Sequence, residues 1–338
     1  MNTNTTATKT AQLDMNETVS AQESDWIKAC LDAAEKDEVY RIFRSTDALI
    51  RVIEGTPRVG GIWNLRRLLK NPLFLHALPN IQTSDTIGLP LNMIDFQAPI
   101  DIDNGDSIQY SLTPITIRYA NNAANCISLF GQDVLKDAER IQEIGSGYGG
   151  ECKIFNDFAV SLMGTPIGKK WHVFDLASSQ GIIKRFLHDF KYECTFNSLA
   201  DYVHPEGSDS LVISNGAFSE MRGELLTAYF DAVIVPAKRG YFITNFDSHS
   251  APYGGWSTKE FIQRLRDSGK EDVVVLPTAE YLSHFDLQAG SKLIVFGHTT
   301  QAIRRSSVSN ADIVRIRLLS VLLNTVVAIQ KSFINSSR

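Results

Sequence analysis

Apolar and polar positions along the chain follow two regimes that meet near residue 140. Before it, Trp26, Ile27, Leu31, Ala34, Val39, Ile42 and Phe43 recur at helical spacing and predict a helix over 25–55. Pro57, Gly60 and Gly61 break it, and a second helix is expected over 62–78, with Pro72 as a kink or restart. Residues 79–120 are loop-rich, with Pro79, Pro90, Pro99 and Pro114, and carry candidate strands at 107–112 and 115–119. A segment of that kind reads as a substrate-side cap. A helix over 121–138 leads out of it. Beyond 140 the pattern is regular. Strands are expected at 141–144, 171–175, 192–196, 211–215, 240–246, 272–276 and 292–297. Helices are expected at 150–162, 178–189, near 199–203, 218–235 and 257–268. Such alternation predicts an α/β fold, a doubly wound Rossmann-like sheet, mostly parallel. The link between the sixth and seventh strands has weak helical signal, so those two are expected to pair antiparallel at the sheet edge. A closing helix over 309–334 carries Ile313, Ile316, Leu319, Leu323, Val326 and Val327 on one face. It packs on its own domain or forms a homodimer contact; binding to a membrane surface is the weaker reading.

These elements divide the chain into a disordered tail (1–24), an N-terminal helical and loop-rich cap (25–138), a ligand-binding sheet domain (139–300) and the C-terminal helix (301–338). Composition adds limits rather than functions. With 43% hydrophobic and 21% charged residues and a formal net charge of −5, the 338-residue chain reads as globular, and its charge argues against nucleic acid as the main partner. Cys30, Cys126, Cys152 and Cys194 form no C-x-x-C pair and have no histidine at ligand spacing. This fits a reducing cytoplasm and predicts no metal site. No signal peptide is visible, and no run of 18 uncharged apolar residues predicts a transmembrane helix.

The chemistry concentrates in Arg140-Ile-Gln-Glu-Ile-Gly-Ser-Gly-Tyr-Gly-Gly150. A strand ends in Glu143 and runs through glycines into a helix whose apolar residues are Ile154, Phe155, Phe158 and Leu162. Gly145 and Gly147 can adopt backbone angles closed to other residues and admit a ligand to the main chain. Strand, glycine turn and helix N-terminus form a nucleotide-shaped cradle at the carboxyl edge of a parallel sheet. Gly145, Gly147 and Gly150 also satisfy the dinucleotide fingerprint, so a nicotinamide or flavin oxidoreductase is an alternative. Against it, Glu143 would repel a pyrophosphate. The next strand-end acid, Asp175, also lies 28 residues after Gly147, beyond the usual ~20.

The block Glu143–Gly150 resembles the first motif of S-adenosylmethionine-dependent methyltransferases, and the form with Tyr148 between glycines resembles the sugar O-methyltransferase family. Asp85-Thr-Ile-Gly-Leu-Pro90 and Thr113-Pro-Ile-Thr-Ile-Arg-Tyr119 resemble its upstream signatures. His172-Val-Phe-Asp-Leu176 is similar to its second strand, Ser214-Asn-Gly-Ala-Phe-Ser-Glu-Met221 to its block after strand four, and Gly240-Tyr-Phe-Ile-Thr-Asn245 to its fifth strand. The likeness covers about residues 80–300; Ser146 stands where a glycine is commoner.

The resemblance implies S-adenosylmethionine as cofactor. Its contacts would be Glu143 (amino group), Gly145, Ser146, Gly147, Tyr148, Gly149, Asp175 (ribose hydroxyls), Leu176 and Asn215. The acceptor would be a sugar hydroxyl, on a nucleotide sugar or a surface glycan, with Arg118 and Tyr119 beside it. A hydroxyl is a poor nucleophile, so a base at the carboxyl ends of strands four or five is expected. His249 leads, because its ordinary pKa lies near neutrality; Glu220 and His298 are the alternatives, and Asp247 would serve in a metal-assisted variant. A non-catalytic, methyltransferase-like assembly protein is a third reading, which the intact glycines and acids oppose.

Overall fold

The computed structural model describes residues 21–99, 107–277 and 291–298; the side chains of 21–23, Ser248, His249, Tyr253 and Pro277 are outside that description. The expected tail up to residue 20 and the closing helix over 309–334 lie outside the described residues.

The N-terminal part holds α1 (Ala21–Glu35), α2 (Asp37–Tyr40), α3 (Asp47–Leu49), α4 (Arg58–Leu68) and α5 (Pro72–Gln82), then the hairpin of β1 (Ile94–Pro99) and β2 (Ser107–Leu112). Next come α6 (Pro114–Phe130) and α7 (Val134–Asp137). The sheet segment begins with β3 (Arg140–Ile144), α8 (Gly150–Met163), β4 (Trp171–Phe174), α9 (Ala177–Asp189), β5 (Thr195–Phe196) and β6 (Ser210–Asn215). It continues with α10 (Gly223–Tyr229), β7 (Arg239–Thr244), α11 (Phe246–His249), α12 (Thr258–Asp267), β8 (Val274–Pro277) and β9 (Lys292–Phe296).

The long helix expected over 25–55 is divided into five pieces, for a reason visible in its side chains. Arg44 and Glu54 meet at 2.5 Å. On a straight helix, residues ten apart would be separated by about 15 Å along the axis. A 3-10 turn at Phe43–Ser45 and a π-turn at Ile50–Glu54 fold the chain so that both point inward. The second helix does restart at Pro72, where Asn71 accepts the Leu73 amide at 3.0 Å as an N-cap.

The expected strand at 115–119 is a correction: these residues open α6. Their β-branched side chains favour a strand, but Thr113 caps the helix by accepting the Thr116 amide at 3.2 Å, and Pro114 occupies the first turn, where its missing N–H costs nothing. The helix expected over 121–138 stops at Gly131, whose φ of +91° ends α6. No helix forms at 199–203, and the one expected at 218–235 is a 3-10 turn, α10 and a π-turn.

The seven-stranded sheet has the order β5-β4-β3-β6-β7-β9-β8. The first five strands are parallel, and β9 enters antiparallel to both β7 and β8. This is a doubly wound, Rossmann-like sheet, mostly parallel with an antiparallel strand near one edge, and the strand order switches between β3 and β6. Side chains alternate between two covered faces, as a strand's period of two requires. Leu211, Ile213, Tyr241 and Ile243 join the core with α8 and α9, which also takes in buried residues of α1, α4, α5 and α6. Val212, Phe242, Ile294 and Phe296 face the opposite core, built on Phe218, Phe246, Trp256 and Phe261.

Candidate functional site

Ladder pairing carries past the end of β3, where the Gly145 amide donates to the Phe174 carbonyl at 2.9 Å. The chain then turns with φ of +80° at Gly145, +61° at Gly147 and +93° at Gly149, and α8 starts at Gly150. Backbone in this region is closed to most side chains, which explains the glycine spacing. Space demands it as well. A β-carbon on Gly145 would lie 2.1 Å from the Ala217 β-carbon, and one on Gly147 would lie 2.5 Å from Ile53 Cδ1. The cap thus rests directly on the loop at Gly147. Gly147→Val should therefore act first by pushing Ile53 away, at a cost of about 1–3 kcal/mol. Val at a φ of +61° is strained as well, so Ile53→Ala should relieve the steric part alone, leaving the double variant less destabilised than the sum of the two single variants in thermal melts.

Two acids from adjacent strand ends organise the loop differently. Asp175 turns its carboxylate onto the loop backbone: Oδ2 accepts the Ser146 amide at 2.7 Å and the Gly147 amide at 2.9 Å, and Oδ1 accepts the Leu176 amide at 2.7 Å. Burial raises its pKa, with these amides opposing. Glu143 is 1% exposed. Its Oε2 accepts from Ser146 Oγ at 2.6 Å and Trp171 Nε1 at 2.8 Å, while Oε1 is buried with no hydrogen-bond partner. Burial, then the neighbouring Glu151 carboxylate, pushes Glu143 well above the usual carboxylate range. An unsatisfied buried carboxylate oxygen is costly, and a functional site is one reason to keep it.

Tyr148, expected among the cofactor contacts, turns away from the cradle. Its ring is 1% exposed and packs against Phe43 and Phe186 at centroid distances of 5.4 and 5.0 Å, so only its backbone borders the loop. Its hydroxyl donates to Glu54 at 3.4 Å, and Arg44 lies over its ring at 5.3 Å. Arg44 itself is fully buried. It pairs with Glu54 at 2.5 Å and Asp85 at 2.7 Å, and donates to the Ser84 carbonyl and to Thr113 Oγ1. Asp85 also accepts the Thr113 amide at 2.7 Å and Thr116 Oγ1 at 2.8 Å. The two upstream sequence blocks, around Asp85 and Thr113, therefore meet on one guanidinium that is tied to the glycine loop through Tyr148.

Tyr119 is buried; a β-carbon on Gly150 would lie 2.7 Å from its ring. Beside it, Arg118 acts electrostatically on Glu151, in the first turn of α8. Glu151 accepts from Asn122 of α6 at 2.9 Å and is hydrogen-bonded by Asn215 at the end of β6. Asn215 thus reaches the glycine loop region, and Leu176 stays 36% exposed next to Asp175. Glu151, Asn122, Arg44 and Ile53 were not legible as site residues. Glu151 directly follows the glycines, but an acid in a first helical turn is ordinary, and only the fold reveals its burial.

Among the proposed bases, Glu220 is exposed near the tip of β6, with Oε1 3.7 Å from where a Gly216 β-carbon would stand. His249 ends the single turn of α11, just past β7 on the same sheet edge; its side chain is outside the described residues. Asp247 is otherwise engaged. It accepts the Thr258 amide and hydroxyl at 2.9 and 2.8 Å and pairs with Lys292 at 2.7 Å. Burial acts to raise its pKa, but these partners outweigh it and hold it below the usual value, which ill suits a proton acceptor. His298 is a correction. Because β9 runs antiparallel, with Phe296 opposite Gly240 at the start of β7, His298 lies at the sheet edge away from the glycine loop and bonds the Asp272 carbonyl. Among the described residues no group of three or more His, Cys, Asp or Glu could hold a metal, and no helix is long and apolar enough to cross a membrane.

No protein-family model matches the chain, and no curated protein matches it. Solved structures do. The mitomycin 7-O-methyltransferase MmcR is 12% identical over 74% of this chain and 75% of its own, with a TM-score of 0.37. The CMeT domain of the citrinin polyketide synthase is 12% identical over 81% and 96%, with a TM-score of 0.34. PigF, in a structure with SAH, is 15% identical over 53% of this chain and 57% of its own, with a TM-score of 0.34.

Proposed function

We propose that the protein is an S-adenosylmethionine-dependent O-methyltransferase acting on a sugar hydroxyl, of a nucleotide sugar or a surface glycan. The observation that carries the reading is the charge of the cradle. In a dinucleotide site the loop amides receive a pyrophosphate. Here the amides of Ser146 and Gly147 are already taken by Asp175, and the next group inward is the buried carboxylate of Glu143 with a bare oxygen. An anion beside Glu143 would disfavour its charged form further, whereas a positively charged group would stabilise the carboxylate, so the cradle suits a ligand bearing positive charge. That favours a sulfonium amino acid over NAD.

On this reading Glu143 holds the ammonium group, Asp175 offers its remaining lone pairs to the ribose hydroxyls, and Leu176 and Asn215 border the nucleoside and methionine ends. The loop backbone of Gly145, Ser146, Gly147 and Gly149 shapes the cradle. S-adenosylmethionine, when bound, supplies a methyl group already activated on sulfur, so holding the acceptor in line contributes much of the rate. Glu220 or His249 takes the hydroxyl proton, each standing at the end of a strand on the correct edge. That the acceptor is a sugar is supported by the likeness of the sequence blocks to the sugar O-methyltransferase family.

Methyl transfer from labelled S-adenosylmethionine to a panel of nucleotide sugars and glycan fragments tests this, with small phenols and RNA as counter-substrates. Incorporation into a sugar, lowered about 10²–10⁴-fold in single-turnover rate by His249→Ala or Glu220→Gln, is expected. Incorporation confined to phenols or RNA would refute the acceptor class.

A further inference from the structure

Residues 197–208, where the sequence predicts a short helix, form instead a non-helical strap whose Leu199 and Tyr202 pack on the second core. The strap leaves the end of β5, where the Asn197 amide donates to the Val173 carbonyl at 2.9 Å, and rejoins the sheet at Ser210. Midway along it, Tyr202 packs edge-on against Phe174 at a centroid distance of 4.8 Å. Its hydroxyl accepts from Gln142 Nε2 at 2.6 Å. Gln142 is 0% exposed and its Oε1 has no hydrogen-bond partner, so the amide is anchored through Tyr202. Gln142 precedes Glu143 on β3, and Phe174 precedes Asp175 at the end of β4. One side chain therefore touches the residue before each of the two acids that organise the glycine loop.

The same hydroxyl is hydrogen-bonded to Arg140. A phenol that receives two N–H donors sends its own proton elsewhere, here to His204 Nδ1 at 3.0 Å. That nitrogen must be bare, so the imidazole is neutral with its proton on Nε2, which lies 3.5 Å from Ser210 Oγ. The start of the strap is tied in the same manner, with Asn197 Nδ2 3.1 Å from His172 Nδ1. Burial lowers the pKa of both histidines, followed by the charge of Arg140 on each and that of Lys270 on His204. No acid offsets these cations. Asp209 is held by Arg239 at 2.5 and 3.0 Å, and Asp201 and Glu206, on the strap itself, are exposed.

We propose that Tyr202 is a positioning residue for both acids of the cradle, acting from the opposite face of the sheet, and that His204 makes its hold depend on pH. The part of this that concerns the cofactor rests on the methyltransferase reading. Adjacent residues of a strand point to opposite faces, so a strap that fixes Gln142 and Phe174 fixes the backbone from which Glu143 and Asp175 project the other way. When His204 Nδ1 takes up a proton, the Tyr202 hydroxyl meets a third donor and Arg140 gains a cation as neighbour. Attraction becomes repulsion and the strap loosens. The folded-state pKa is depressed, so the stabilising contribution is complete above the unfolded value of about 6.5 and is lost as pH falls through the folded value. Once the strap is released, the buried Gln142 amide loses its anchor and the ends of β3 and β4 lose a support.

Hydrogen exchange of the full chain about one pH unit above and one below 6.5, corrected for intrinsic rates, is the test, with S-adenosylhomocysteine affinity measured by calorimetry at both. Protection over 198–208 in the parent should fall about tenfold or more at the lower pH, while β6 and β7 keep theirs. His204→Gln, which cannot take up the proton, should be equally protected at both. Tyr202→Phe should be loose at both and should bind S-adenosylhomocysteine about fivefold or more weakly even at the higher pH. Glu143 and Asp175 are present in every variant, so the readout for the ligand is the difference in pH slope. The parent should lose about fivefold more affinity on acidification than His204→Gln does. Equal protection of the parent at the two pH values would overturn the proposal. So would a fall in protection that persists in both variants, or an unchanged S-adenosylhomocysteine affinity in Tyr202→Phe. A strap that responds as expected in a chain that binds no S-adenosylhomocysteine at either pH would support the His204 switch and remove the methyltransferase reading instead.

Discussion

Arg44→Met is expected to destabilise the fold by about 3–5 kcal/mol, the largest single-residue effect in the molecule. The side chain is fully buried, and its removal leaves Glu54 and Asp85 as neighbouring buried carboxylates with no cation between them. Burial already raises Glu54, so part of the cost would be met by its taking up a proton. Denaturant unfolding should show the loss. Neutralising both acids in the same chain, with Glu54→Gln and Asp85→Asn, should recover a substantial part of it. Arg44 also lies over Tyr148 and shares Glu54 with it, so cofactor affinity should fall with stability. A loss under about 1 kcal/mol would mean that the cap is not welded to the glycine loop through this residue.

Glu143→Gln is expected to cost about 100-fold or more in affinity for S-adenosylhomocysteine, because a buried charged contact to the ligand ammonium is lost. The free protein should not suffer comparably. Glutamine keeps an acceptor for Ser146 and Trp171, and it removes a carboxyl that burial disfavours in its charged form. The pH dependence follows from the sign of that shift. The folded-state pKa is raised, so the stabilising contribution is complete below the unfolded value of about 4.3 and is lost as pH rises through the folded value. The variant should therefore lose less stability than the parent as pH rises above the unfolded value of about 4.3. Equal affinity and an equal pH slope in the two proteins would show that Glu143 does not face the ligand.

The sheet was readable because parallel strands buried on both faces leave short apolar runs between amphipathic helices, and all seven were expected close to where they lie. The loop was readable because positive backbone angles at Gly145, Gly147 and Gly149 exclude almost every other residue. The cap was harder. Ile115, Thr116 and Ile117 carry strand propensity, yet a threonine cap and Pro114 start a helix there. Arg44 and Glu54 sit in a segment with helical periodicity, and nothing local reveals that their ion pair folds it back. The same limit applies to the site. Glu143 and Asp175 mark themselves as acids at strand ends, whereas Arg118, Asn122 and Glu151 become a cluster only when α6 crosses α8. His298 failed for a topological reason: at the end of a strand it looked like a site residue, but that strand runs the other way.

On the proposed reading the cradle selects a nucleoside that carries an amino-acid ammonium over an anionic dinucleotide. Calorimetric titration of the full chain with S-adenosylhomocysteine and, separately, with NAD tests it most directly. Saturable binding of S-adenosylhomocysteine at one site per chain, with no binding heat from NAD and no displacement by it, is the predicted result. Binding of NAD that displaces S-adenosylhomocysteine, or saturable NAD binding with none for S-adenosylhomocysteine, would contradict it.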